Sequence, residues 1–418
     1  MKHIVAALVA LTLTFAVAQD APPVAKVGLL FDYTGALAEF GPSMENAADL
    51  AAEQLNSAAQ AVLGGPIIEL VVEDGATSPS VGVDRARKMM DTDQVVAIVG
   101  ALSSGVTTTV AESVTIPGEL ILMSPASTSP ILSVLEDNDF VFRTVASDAT
   151  QGIVGAQLAR GEIFDDYSHE TASVIYVNNP YGQGLAESFR AAFEARGGTV
   201  LAMASHPDEQ QPTYSSLLET VLADNPDFVV AISYPGQASV YMPEARDLYD
   251  FTSWQFVDGT KSEELIEVMG AEAMEGLYGT VPGSDPEWGG AEAFFAAYEE
   301  SYGEAPGLPF IDTSYDAVSV IGLAIAKTII DGDELTSANV RDNLREVSSP
   351  GPEVISVGDF ERALQLLQDG ESIDFSGAAG AVDFDEVGDV ITPIVIFEYT
   401  GGEVLDIHVR SADEIPAE

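Results

Sequence analysis

The chain has 418 residues, 46% of them hydrophobic, which is enough for a large core and points to two domains rather than one. Its 67 acidic and 16 basic residues leave a formal net charge of −51 without a Lys/Arg cluster, which excludes nucleic acid as a partner and disfavours an anionic membrane surface. Cysteine is absent, so disulfides, thiol nucleophiles, thiolate metal sites and a lipid-bearing cysteine are all excluded.

The acids are spread along the chain, the pattern of a solvated shell more than of a cation trap. At the N-terminus, Lys2 and His3 precede an apolar run over residues 4–17, and Ala16-Val17-Ala18 has the small-x-small pattern of a cleavage site. Residues 1–18 are therefore expected to be a signal peptide, with the mature chain starting at about Gln19. The run falls short of the roughly 20 residues a spanning helix needs. The other long apolar stretch, residues 311–330, is interrupted by Asp312, Asp316 and Lys327. An exported chain without disulfides suits a periplasm.

Strand-like and helix-like runs then alternate. "VGLLFD" (27–32) precedes "SMENAADLAAEQLN" (43–56), in which Met44, Ala47, Ala48, Ala51, Ala52 and Leu55 share one helical face. "IIELVVED" (67–74), the helical "VDRARKMMD" (83–91), "VVAIVG" (95–100), the helical "SGVTTTVAE" (104–112) and the strand at 120–123 follow. The pattern restarts after about residue 145 with "ASVIYVNN" (172–179) and "GLAESFRAAFEARGG" (184–198), where Gly197-Gly198 is a stop. "VLAMAS" (200–205), "FVVAISY" (228–234) and "WQFVDG" (254–259) are further strands, and residues 382–399 and 403–410 read as late strands returning to the sheets. Val/Ile/Leu-rich strands joined by helices predict parallel sheets covered on both faces, in an α/β protein of two doubly wound lobes. A closed eight-unit barrel, the alternative, would want about 250 residues and leave much of the chain over.

Such sheets take ligands at the carboxyl ends of their strands. The loops there are "FDYTGALAEFGPS", "GALSSG" and "SPASTSP" in the first half, and "NNPYGQG", "SYPGQAS" and "VDGTKS" in the second. Ser103-Ser104-Gly105 stands where a strand turns into a helix, whose first amides attract an anion. Pro125 and Pro130 stiffen a loop of small residues, Ala126, Ser127, Thr128 and Ser129, whose amides are expected to point outward. Together they form a nest for a small carboxylate, although a plain helix cap explains Ser104 equally well. On the opposite side Asp258 ends a strand and suits an ammonium group, while Phe40, Tyr181 and Tyr234 sit at other strand ends. Each aromatic alone is more commonly core, but as a set they wall a pocket. An anion nest facing an acid describes a zwitterion, a free amino acid.

An enzyme is the competing class. "ALSSG" (101–105) approaches the G-x-S-x-G nucleophile elbow around Ser103, but lacks the first Gly. Its base would have to be His169, His206 or His408, none in a supporting pattern. No metal motif, calcium loop or nucleotide loop occurs, so neither catalysis nor a cofactor is expected.

Taken in order, "VGLLFDYTGALAEFG", "VVAIVGALSSG", "LMSPASTSP", "FRTVASDATQG", "NPYGQG" and "GAAGAVDFDEVGDV" resemble the substrate-binding proteins of ABC transporters for branched-chain amino acids. The resemblance runs from about Val24 to about Val409. It implies a type I periplasmic binding fold, with lobe 1 at 24–145 plus 279–390 and lobe 2 at 146–278 plus 391–418, joined by three crossings. Asp148 and Gln151 would fall at the first crossing. It further implies that Ser104, beside Ser103, and the loop residues Ala126, Ser127 and Thr128 hold the ligand carboxylate. Phe40 would cover the ligand, Tyr181 and Tyr234 would line it, and Asp258 would meet its ammonium group. Leucine-type members carry a Glu in a "PEG" context where this chain reads "VDGTK". The expected partners are a small-molecule ligand and the subunits of an ABC permease, met by a monomer. A short amide, urea or carboxylate as ligand, and a sensory role, are the alternatives within the same fold.

Overall fold

The computed structural model describes residues 21–303, 305 and 307–415, so the expected signal peptide lies outside the described residues. The first sheet is built from β1 (Ala25–Phe31), β2 (Ile68–Asp74), β3 (Ala97–Gly100), β4 (Ile121–Ser124) and β5 (Val141–Arg143). All pairings are parallel, in the order β2-β1-β3-β4-β5. β1, β3 and β4 are buried almost throughout, which is why they read as unbroken apolar runs.

The second sheet holds β6 (Thr171–Val177), β7 (Thr199–His206), β8 (Phe228–Ile232), β9 (Trp254–Phe256) and β10 (Leu277–Pro282). β11 (Val354–Ile355) and β12 (Asp374–Phe375) form a small pair of their own. β13 (Ile394–Thr400) and β14 (Glu403–Arg410) return to the second sheet, giving the order β14-β13-β10-β9-β8-β6-β7. The strands from β6 to β10 pair in parallel, whereas β13 and β14 are antiparallel, an edge that the all-parallel expectation did not contain. Both sheets are open, so the barrel alternative is discarded.

The chain passes from the first lobe to the second at residues 144–147, back over 283–288, and across again over 383–393. Two expected boundaries shift. β10 pairs with β9 at Gly279–Phe256 and with β13 along its length, so residues 279–282 belong to the second sheet and not to the first lobe. Within residues 382–399, expected as strand, only β13 is extended. Upstream of it the Asp385 carboxylate accepts the N–H groups of Val387 and Asp389, each at 2.9 Å, closing a turn in which Gly388 has φ +76°. That turn is pinned to the first lobe, where the Arg143 N–H donates to the Gly388 carbonyl at 3.0 Å.

The helix Ile311–Asp331 is long and apolar enough to cross a membrane by length and composition, yet 83% of that stretch is buried inside the fold. It packs on the helix Gly41–Val62, where the Tyr315 hydroxyl donates to Gln54 Oε1 at 2.5 Å. In the second lobe the helices Asp148–Ala159 and Pro180–Ala195 lie against each other with Gly152 at the closest approach. A Cβ there would stand 2.6 Å from Ser188 Cβ and 2.7 Å from the backbone nitrogen of Phe189. Gly152→Ala should therefore push the helices apart and cost about 1–3 kcal/mol, read as a lower urea midpoint.

Candidate ligand-binding site

The carboxyl ends of both sheets face a cleft that holds about 350 Å³ of empty space, part of it open to solvent. It is lined by Leu37, Phe40, Leu102, Ser103, Ser104, Ala126 and Phe310 from the first lobe, and by Tyr181, Tyr234, Asp258 and Gly259 from the second. Among the expected residues Phe40, Ser103, Ser104, Ala126, Tyr181, Tyr234 and Asp258 come together on its wall, while Ser127 and Thr128 do not reach it.

The helix Ser104–Val110 starts at the wall, so its first amides have no partner within the helix. Ser104 is not its cap: the hydroxyl accepts the Ser129 N–H at 3.3 Å and ties the two hydroxyl-rich loops together. The Ser124–Pro130 loop differs from the expected outward nest. Ser124 Oγ accepts the amides of Ala126 (3.3 Å) and Ser127 (2.9 Å), so those donors turn inward. The Ser127 hydroxyl is also used inside the loop, donating to the Leu102 carbonyl at 3.0 Å and paired with Thr107 Oγ1 at 2.7 Å. Its role is to hold the loops together, and the site expectation for it is corrected accordingly. Thr128 keeps its hydroxyl oxygen buried and unpartnered among the described residues. Its carbonyl accepts the Asp148 N–H (2.8 Å) and Arg143 Nη1 (3.0 Å).

Arg143 is 1% exposed, and its guanidinium braces this loop from beneath. Nη1 also donates to the Ser129 carbonyl at 3.1 Å, and Nη2 bonds Ser133 Oγ at 2.7 Å and the carboxylate of Asp389. The arginine is thus structural and lies behind the site.

Across the cavity Asp258 opens a short helical turn, Asp258–Thr260, directly after β9. Its Oδ1 accepts Gln151 Nε2 (2.8 Å) and the Tyr181 hydroxyl (3.0 Å), and the Tyr181 oxygen in turn accepts the Gly259 N–H at 3.2 Å. Burial raises the Asp258 carboxyl to about 6, with those hydrogen bonds pulling the other way. Glycine at 259 is required by close approach, since a Cβ would lie 2.5 Å from the Ser233 carbonyl and 2.8 Å from the Tyr181 hydroxyl. Tyr181 and Tyr234 stack with centroids 5.9 Å apart and planes 10° from parallel. The Tyr234 hydroxyl accepts Asn179 Nδ2 at 2.9 Å, and Asn179 also caps the helix Pro180–Ala195. Burial raises both tyrosines, so both stay neutral donors.

Leu37, Leu102, Gly259 and Phe310 were not anticipated. The first three sit inside the strand-end loops already singled out, and inspection of their apolar members would have found Leu37 and Leu102. Phe310 comes from the segment after the second crossing, with φ +71°, and nothing local marks it. The histidines belong elsewhere. His206 Nε2 pairs with Ser233 Oγ at 2.7 Å, while His169 packs on Phe228 and His408 on Phe164. Ser103 therefore has no histidine base among the described residues, which removes the support for the hydrolase alternative.

The lobes also touch at the rim. Ser129 Oγ donates to the Pro180 carbonyl at 2.8 Å, and Ser262 Oγ bonds the Glu39 carboxylate at 3.2 and 3.3 Å.

Two open sheets joined by three crossings, with a cleft lined by residues of both lobes, define a two-lobed solute receptor of the type I periplasmic binding fold. The chain belongs to the periplasmic binding protein family, whose model matches residues 24–398, and stands with its leucine/isoleucine/valine-binding-like members. It is a solute-binding protein and not an enzyme. The chemotactic signal transduction system substrate-binding protein BasB of Halobacterium salinarum is 27% identical over 379 residues, covering 88% of this chain and 84% of that one. A leucine-, isoleucine-, valine-, threonine- and alanine-binding protein of Pseudomonas aeruginosa is 24% identical over 321 residues, 77% of this chain and 83% of that one. The crystal structure of the leucine-binding protein LivK of Thermotoga maritima superposes with a TM-score of 0.76 at 25% identity, covering 94% of this chain and all of that one (100%).

Proposed function

We propose that the protein captures a small zwitterion, an aliphatic or branched-chain amino acid, in the periplasm and delivers it to an ABC permease. The carrying observation is the make-up of the cavity wall: Ser103 and Ser104 with the apolar Leu37, Phe40, Leu102 and Phe310 on the first lobe, and the Asp258 carboxylate with Tyr181 and Tyr234 on the second. A carboxylate suits the serines, an ammonium group Asp258 and an aliphatic side chain the apolar residues. Thr128, just behind the wall, offers a further hydroxyl once a ligand draws the loop inward. The two lobes would act as jaws that close by motion about the crossings. The names of the Pseudomonas and Thermotoga relatives support the ligand class.

Thermal shift and calorimetry with leucine, isoleucine, valine and the other amino acids test the reading. Stabilisation by aliphatic amino acids is expected; response only to short amides, urea or carboxylates overturns it. Ser104→Ala combined with Thr128→Ala should keep the fold. It should weaken binding by about 1.5–3 kcal/mol for each hydrogen bond to the ligand carboxylate that is lost, read by calorimetry. A sensory role, with the closed form recognised by a receptor instead of a permease, is favoured by one observation, the BasB relative. Pull-down of the ligand-loaded protein with membranes, followed by identification of the partner, separates the two.

A further inference from the structure

We propose that the groove outside the cleft is a second ligand site, which takes a linear aliphatic polyamine and ties the two lobes together through it. The site itself does not depend on the zwitterion reading. The groove holds about 1330 Å³ of empty space, part of it open to solvent. It begins where the cleft ends: Ala36 and Ala38 flank Leu37 of the cleft wall, and Pro235 follows Tyr234. Its acids are Glu39 from the first lobe and Asp208, Glu209 and Glu264 from the second, and no Lys or Arg lines it among the described residues. Four acids alone would be a solvated rim. A fifth group sets this groove apart. Gln237, also on its wall, is 1% exposed, and its Nε2 is spent on the Asp208 carbonyl. Its Oε1 is left buried with no donor among the described residues. Such an acceptor costs free energy unless a donor arrives.

The acids are positioned but not neutralised. Glu39 accepts the Ser262 hydroxyl at 3.2 Å, Asp208 accepts Asn179 Nδ2 at 2.7 Å and Glu264 accepts the Ser239 hydroxyl at 2.8 Å. All three donors are neutral. Burial, and then the charges of Glu264 and Glu263, hold the Glu39 carboxyl above its ordinary value, against the Ser262 hydrogen bond. Like charges on opposite lobes repel as the lobes approach, and a cation between them removes that repulsion. The placing of the acids decides which cation fits. Among the described residues no three acidic or histidine side chains form a group that could hold a metal ion. A ligand with several separated ammonium groups matches acids contributed by different loops, and its N–H groups serve both the carboxylates and the Gln237 oxygen. Ala36, Ala38, Pro235 and Gly236, which share the groove with the acids, are small and apolar and suit methylene spacers. Because the acceptors come from both lobes, binding in the groove and closure of the cleft favour each other.

The test is calorimetry of the whole protein with spermidine at about 0.15 M salt, which screens loose attraction to the acidic surface beyond about 8 Å. One saturable site per chain is expected. Glu39→Gln combined with Glu264→Gln should weaken it roughly tenfold or more. Glu299→Gln combined with Glu300→Gln, two exposed acids of the helix Gly289–Tyr302, should leave it unchanged. Gln237→Met, which removes the bare oxygen, should weaken it as well; if that variant does not fold, the two surface pairs decide alone. Saturating L-leucine should tighten spermidine binding roughly fivefold or more, and spermidine should tighten leucine by the same factor. Many weak sites, equal losses in both double variants, or the same heats from magnesium chloride at equal ionic strength overturn the site. One-site binding with no effect on leucine affinity overturns the tie between the lobes. If no amino acid binds, the zwitterion reading falls while spermidine still decides the site. Small-angle scattering then reads the tie: a smaller radius of gyration with spermidine supports it, and an unchanged one overturns it.

Discussion

Asp258→Ala is expected to weaken capture of an amino acid by about 2–5 kcal/mol, roughly one and a half to three and a half orders of magnitude in affinity, with little change in melting temperature. The carboxyl is the only acid on the cavity wall among the described residues and is 3% exposed, so a ligand ammonium placed against it would be sheltered from water. Removing the carboxylate leaves that cation desolvated without a counter-charge, which is where most of the loss arises. The fold should survive because the surrounding groups keep other partners: Gln151 Nε2 retains the Thr280 carbonyl, and the Tyr181 oxygen retains the Gly259 N–H. Calorimetry with a matched pair, leucine and the analogue lacking its amino group, isolates the effect. Leucine should lose most of its affinity in the variant, while the analogue should change little or bind better. Equal losses for both would show that Asp258 does not read the amino group.

Arg143→Met should lower stability by about 3–5 kcal/mol, the largest stability effect foreseen here. Three groups lose one of their donors at once: the Thr128 carbonyl keeps only the Asp148 N–H, the Ser129 carbonyl the Leu132 N–H and the Asp389 carboxylate oxygen the Ser133 hydroxyl. The carbonyls are buried beneath the loop, so they cannot recover water in exchange. Urea unfolding followed by circular dichroism reads the stability, and calorimetry on the folded fraction reads ligand affinity. Both should fall, because the same guanidinium sets the height of the Ser124–Pro130 loop at the cavity. A variant as stable as the native protein would mean that water replaces the guanidinium there.

Much of this was open to sequence reasoning because the signals are local. β1, β3 and β4 are buried on both faces and spell themselves as apolar runs, and the helix Gly41–Val62 declares its face by periodicity. Every loop that meets the cavity from a strand end was visible as a cluster of Gly, Pro and hydroxyls, and those loops carry Phe40, Ser104, Tyr181, Tyr234 and Asp258. β5 and β10 were not visible. One is three residues long, and the other carries Gly279 and Pro282, so neither has the run of branched residues that marks a strand. The inward turn of Ser127 depends on Leu102 and Thr107 arriving from another loop, which no window of sequence contains. Phe310 reaches the cavity through chain crossing and not through pattern. Asp148 was noticed only as part of the first crossing; its burial at the start of the helix Asp148–Ala159, with its N–H on the Thr128 carbonyl, depends on contacts between separate loops.

The bonds between the lobes, Ser129 to Pro180 and Ser262 to Glu39, join residues that do not line the cavity. Drawing the lobes apart must break them along with any contact that a bound molecule makes. Dwell time is then expected to depend in part on hydroxyls the cargo never meets.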